Sequence, residues 1–169
     1  MERKQTITMN ETAPEVAQKL EALKQYLIDE GEATADEIEG ATVANTYNDG
    51  WDTFEIIGNE YKVLTDEEAD EAARETIINE LWAFNADFII THTEFWNTCT
   101  ENEWHEAVKA LEEMQRRLCE SANAIIKALI ADLDEFIEDA IDADGRGHFL
   151  SLYDGEEYES GEFYIYRTN

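Results

Sequence analysis

The chain has 169 residues, 43% of them hydrophobic and 11% aromatic, which is enough apolar mass to fold and excludes an acidic disordered tail. Its 41 Asp and Glu against 12 Lys and Arg give a formal charge of −29, far past the magnitude of about 2 to 8 that serves solubility in a small domain. Such a field disfavours direct binding to nucleic acid or to an anionic membrane surface, whereas it steers in any partner with a basic groove.

The first predicted element is a helix. Thr12 with Glu15 matches a capping box, Pro14 sits in the first turn, and Val16, Leu20, Leu23 and Leu27 recur at helical spacing until Gly31. A second capping box at Thr34 and Glu37 opens a short acidic piece. The stretch from Val43 to Leu64 is rich in β-branched and aromatic residues and is cut by Asn48-Asp49-Gly50 and Gly58-Asn59, which predicts a meander of two or three strands.

Thr65 and Glu68 cap a third helix, with Ala69, Ala73, Ile77, Leu81 and Phe84 along one stripe, expected to pack on the meander. Residues 86–98 are short and apolar, so periodicity alone decides poorly between helix and strand; the reading leans to helix. Thr100 and Glu103 cap a helix running to about Glu120. Ile125 to Ile141 then carry an isoleucine-rich stripe up to Gly145, either as a separate helix or as one helix continuing through Ser121. From Gly147 the composition returns to strand, with Asp154-Gly155 and Ser160-Gly161 as turns, which predicts a C-terminal hairpin. The fold class expected is α+β: a single domain, 1–169, in which an antiparallel sheet from the central meander and the C-terminal hairpin packs against four or five helices.

Two cysteines, Cys99 and Cys119, lack CxxC spacing, so neither a disulfide framework nor a zinc knuckle is indicated. There is no apolar run of about 18 residues, and the N-terminal stretch lacks the apolar centre of a signal peptide. A cytoplasmic, soluble protein is expected.

Candidate chemistries are weak. Asp142-Ala143-Asp144-Gly145 resembles the middle of a calcium loop, but the anchoring positions would be Ala140 and Ser151, so both carboxylates that close the coordination shell are missing. His92-Thr93-Glu94 has the HxE spacing of zinc deaminases without the PCxxC that completes their metal site. His105-Glu106 and His148 leave a mixed His/carboxylate site as a minor reading, against surface or hydrogen-bonded core histidines. No GxSxG, Walker A or GxGxxG occurs, and among 41 acids no carboxylate pair is informative. No catalytic residue, metal or cofactor is therefore assigned.

The charge pattern says more. Asp132 to Asp144 holds seven carboxylates. Asp132, Glu135, Asp139 and Asp142 fall at i, i+3, i+7 and i+10 on a face opposite the isoleucines, with Asp134 and Glu138 as a second row. The first row spans about 15 Å, so its four charges approach the spacing of phosphates along one DNA strand, about 3.4 Å of axis each. Like charges at i, i+4 cost a helix about 0.2 to 0.5 kcal/mol a pair. Further acids, Glu32, Asp36, Glu37 and Glu39 after the first helix and Glu156, Glu157 and Glu159 in the tail, complete the expected partner-binding set with Asp144. Asp66, Glu67, Glu68, Asp70 and Glu71 open a helix, where the macrodipole accounts for them without a partner.

The expected function is that of a DNA mimic, occupying the basic groove of a DNA-binding protein or nuclease complex of the host. An acidic regulatory module that docks a basic protein surface unrelated to DNA is the alternative, and a metal-dependent enzyme the weakest reading. Halophilic adaptation is disfavoured because Glu outnumbers Asp 28 to 13 and bulky apolar residues are plentiful. A homodimer through exposed edge strands of the two hairpins would lengthen the mimicked duplex.

Two segments, "YKVLTDEEADEAARETI" running on to "LWAF" at Phe84, and "DGRGHFLSLYDGEEYESGEFYIYRTN" from Asp144, resemble small acidic proteins encoded in phage and plasmid genomes, a group with no settled function. They cover under a third of the chain and carry over no catalytic residues. The resemblance implies a mobile-element origin and hence a counter-defence role. In charge, though in no motif, the chain is also similar to phage anti-restriction and anti-CRISPR DNA mimics.

Overall fold

A computed structural model describes residues 13–48 and 51–169, in the element order α1 (Ala13–Asp29), α2 (Ala35–Gly40), β1 (Ala44–Asn48), β2 (Trp51–Ile56), β3 (Asn59–Leu64), α3 (Asp66–Asn79), α4 (Ala86–Thr91), α5 (Glu101–Leu118), α6 (Asn123–Leu129), α7 (Leu133–Leu150), β4 (Tyr158–Ser160) and β5 (Phe163–Arg167). The cap expected at Thr12, and Asp49 and Gly50 of the first turn, lie outside the described residues. The chain gathers into two compact units, one running up to Asp66 and taking in Glu157–Asn169, the other formed by Glu67–Glu156.

In the first unit the meander and the C-terminal hairpin share one antiparallel sheet, in the order β1-β2-β3-β5-β4. Alternation does the sorting: Phe54 and Ile56, Tyr61 and Val63, and Ile165 point to one face and pack with Leu23, Tyr26 and Leu27 of α1 and Ile38 of α2. The β2–β3 turn falls one residue before the expected Gly58-Asn59. Ile57 and Gly58 both take positive φ, 52° and 77°, the requirement of a two-residue turn whose twist matches its strands. One charge pair is buried here: Lys19 Nζ lies 3.2 Å from Asp52 Oδ2, with the side chains 0% and 3% exposed.

The second unit is helical. Ile77, Leu81, Ile89, Ile90, Leu111, Ile126, Phe136 and Ile137 share its core. Residues 86–98 hold two helical pieces, α4 and a 3₁₀ turn at Glu94–Asn97, with Thr93 between them extended in an isolated antiparallel bridge to Ile130. Thr100 and Glu103 form the expected capping box of α5. The buried Gln115 amide donates to the Trp82 and Phe84 carbonyls, at 2.9 and 2.7 Å, pinning the segment after α3 where it has left regular helix.

Two boundaries differ from expectation. The isoleucine stripe is split in two, because Ile130 leaves the helix and Asp132 starts the next one. And at Gly145, φ 78° and ψ 155°, the regular helix breaks where expected, but a further helical stretch to Leu150 follows in place of a strand, and strand begins only at Tyr158. Burial explains the second. Leu150 is 2% exposed and Phe149 packs on Phe84 at 6.1 Å between ring centres, contacts that a helical turn supplies and an extended strand departing at His148 would not.

Candidate functional site

All seven carboxylates from Asp132 to Asp144 are exposed. The first row that the sequence suggests, Asp132, Glu135, Asp139 and Asp142, is not used as one face, whereas Asp134 and Glu138 of its second row line a groove together. Asp132 is the N-cap of α7 and not a member of its face; its Oδ1 accepts from the backbone N–H of Asp134 and Glu135 at 3.0 and 3.2 Å. Asp139 turns to His92, 3.1 Å from Nε2. Glu135 and Asp144 are exposed and make no ion pair or hydrogen bond among the described residues.

What the fold adds is a second helix. Asp134, Glu138 and Asp142, at i, i+4 and i+8 along α7, line a groove of about 790 Å³ with Glu67, Asp70 and Glu71 of α3. Ile137 and Ile141 supply its apolar floor and Arg74 its one cation. Two of the six carboxylates are neutralised locally, Asp134 by Arg74 at 2.5 Å and Asp70 by Arg146 at 2.9 Å. Glu67, Glu71, Glu138 and Asp142 have no partner among the described residues. The uncompensated acids form two pairs, Glu67 and Glu71 on α3 and Glu138 and Asp142 on α7, each spaced four residues, about 6 Å, along its helix.

The macrodipole accounts for acids at the start of α3 but does not point to their place in the groove. Their i, i+4 repeat at Glu67 and Glu71 was the available signal, since a dipole favours acids in the first turn but asks for no row.

The remaining expected acids belong mostly to the sheet unit and are used unevenly. Glu32 accepts from the Tyr61 hydroxyl at 2.8 Å. Burial, then Glu32 itself, pushes that phenol up to about 12. Glu37 closes the capping box of α2, and hydrogen bonds from the Thr34 backbone N–H and hydroxyl hold its carboxyl below the ordinary range. Glu157 accepts from the Tyr166 hydroxyl. Asp36, Glu39, Glu156 and Glu159 are exposed carboxylates with no partner among the described residues. Glu32, Glu37 and Glu157 are thus first of all structural acceptors.

The three histidines stand apart. His92 lies between Phe88 and Phe136, at 4.5 and 5.0 Å between ring centres, with Nδ1 2.7 Å from the Phe88 carbonyl oxygen; His105 is 4.0 Å from Glu101; His148 lies against Phe149. Among the described residues no group of three His, Cys, Asp or Glu is placed to hold a metal ion. Cys99 and Cys119 are free thiols. No helix among the described residues is long and apolar enough to cross a membrane. Compared with known proteins, the chain matches no family model, and no curated protein or solved structure was found to be similar to it.

Proposed function

We propose that the chain is a DNA-mimic inhibitor, whose α3–α7 groove receives basic side chains that a host nuclease complex, of restriction or CRISPR type, otherwise uses to hold DNA. The observation that carries this reading is the two acidic pairs, Glu67 with Glu71 and Glu138 with Asp142, that line one groove with Ile137 and Ile141. Each pair's spacing of about 6 Å is close to the axial distance of about 6.8 Å that separates every second phosphate along a DNA strand. The floor adds what a bare acidic surface lacks. Lys and Arg lay their methylene stems on apolar surface while the charged head reaches polar neighbours, so isoleucines between two acidic rows suit both parts of those side chains. Arg further pairs with carboxylates bidentately, as it does with phosphate.

Inhibition then needs no chemistry of its own. The −29 field accelerates encounter with a basic groove, and bound protein and DNA exclude one another there. Such a partner places the protein in the cytoplasm of the host cell. The test is capture from a host lysate at low salt, with one half of the column eluted by salt and the other by duplex DNA. Mimicry predicts a DNA-binding complex released by both. A partner released by salt but held against excess duplex points instead to a regulatory module on a surface unrelated to DNA.

A further inference from the structure

The groove between α3 and α7 already holds one guanidinium, and the chain itself supplies it. Arg74 on α3 and Asp134 on α7 form an ion pair of 2.5 Å that joins the two walls. A second arginine, Arg146, joins the same helices through Asp70 at 2.9 Å. The two pairs differ in how firmly they are held. The Arg146 side chain is only 12% exposed, whereas Arg74 is 42% exposed and Asp134 72%. A pair as open to water as Arg74–Asp134 is weak, because solvent screens it and two mobile side chains must be ordered to keep it. Arg146 braces the helices; Arg74 is free to exchange.

Arg74 is the one cation lining the groove, so a basic side chain arriving from outside meets a like charge there and finds Asp134 engaged. With Arg74 turned out to solvent, Asp134, Glu138 and Asp142 stand at i, i+4 and i+8, and the α7 wall gains a third open carboxylate at the same spacing of about 6 Å. The α7 row is complete only when the chain's own arginine has left it.

We infer that Arg74 is an internal competitor for this site, standing in for one arginine of the partner and displaced when that arginine enters. The inference rests on the reading of the groove as the place that receives basic side chains. A site occupied from within binds with an affinity reduced by the fraction of time it stands free. An exposed ion pair at the strong end of its usual range keeps that fraction at about one fifth, so Arg74 holds the affinity about fivefold below that of the open groove.

Binding of fluorescein-labelled octa-arginine to the full chain, followed by anisotropy in about 0.1 M salt, tests this. Arg74→Gln should tighten binding about fivefold and leave the urea midpoint unchanged. Arg117→Gln removes the same charge from the exposed surface of α5, outside the groove, and should change binding less than about twofold, because salt screens a charge the peptide does not touch. Arg74→Gln combined with Asp134→Asn has the parent's net charge and should return to the parent's affinity, since the freed carboxylate is gone. Equal effects of Arg74→Gln and Arg117→Gln, a gain that survives Asp134→Asn, or weaker binding with a lowered urea midpoint, the mark of a brace, overturns the inference. Displacement of duplex DNA from the captured host complex keeps the two readings apart. If octa-arginine tightens as expected while neither parent nor Arg74→Gln displaces duplex, mimicry fails and Arg74 keeps its role; if duplex is displaced but octa-arginine is indifferent to Arg74→Gln, the internal competitor fails and mimicry stands.

Discussion

Replacing Lys19 by Met removes a buried cation while keeping its length. In the folded protein Lys19 Nζ sits 3.2 Å from Asp52 Oδ2, with side chains 0% and 3% exposed, and Asn45 Nδ2 is 3.4 Å from the other carboxylate oxygen. At an effective dielectric constant of about 20 the attraction at this distance is about 5 kcal/mol. Desolvating both ions offsets most of that, so the intact pair adds little net stability. Removing one member is different, because Asp52 keeps its desolvation cost without its counter-charge; the expected loss is about 3 to 5 kcal/mol. That is a large share of the roughly 5 to 15 kcal/mol typical of a domain. With a urea slope of about 2 kcal/mol per molar, the midpoint should fall by about 2 M. Hydrogen exchange should place the loss in the strands β1 to β3. Lys19→Met with Asp52→Leu should recover most of it, since an apolar pair of similar volume replaces the ions. A loss under about 1 kcal/mol, or a double variant no better than the single, would refute the reasoning.

Three further outcomes are expected. Asp132→Ala deletes the N-cap of α7 and should cost about 1 kcal/mol in chemical unfolding; no loss would mean that Asp132 serves the acidic face instead. Ile57 is a β-branched residue at φ 52° in an exposed turn before Gly58, so Ile57→Asn should raise stability by about 1 kcal/mol, read as a higher unfolding temperature. Burial raises the phenols of Tyr26 and Tyr61, the latter to about 12, above the value near 10 of an unfolded tyrosine. The folded state then binds more protons between about pH 10 and 12, so stability should be untouched by these groups below that window and fall as pH rises through it. Stability that stays flat from about pH 10 to 12 would contradict that burial.

Much of the fold was legible because it rests on local signals. Capping boxes at Thr34 and Thr100, alternation in β2, β3 and β5, and turn residues marked the elements and the α+β class, and joining the meander to the hairpin followed from their shared antiparallel character. Illegible were features that local signals mask or that only assembly creates. Ile130 and Leu133 keep a helical period across the break, so periodicity reads through it, while Asp132 looks like one more surface acid. The acidic groove arises where α3 and α7 meet: the i, i+4 repeat of Glu67 and Glu71 marks a row on α3, but no spacing says which helix that row faces. The buried lysine had a signal that went unused: Lys19 lies at i+3 from Val16 and four before Leu23, inside the apolar stripe of α1. Glu32 and Glu37 show the converse, exposed by composition yet committed to Tyr61 and Thr34.

Mimicry is tested most directly by neutralising the groove at constant fold. Glu67→Gln, Glu71→Gln, Glu138→Gln and Asp142→Asn together remove four charges, and a control with Glu21, Glu55, Glu112 and Glu113 changed to Gln removes the same number elsewhere. Displacement of labelled duplex DNA from the captured host complex is then titrated with each. The groove variant should lose displacement about a hundredfold or more, as four charge pairs of about 1 kcal/mol each are removed, while the control keeps most of it. Equal losses in both, or none in either, would contradict a groove that stands in for DNA.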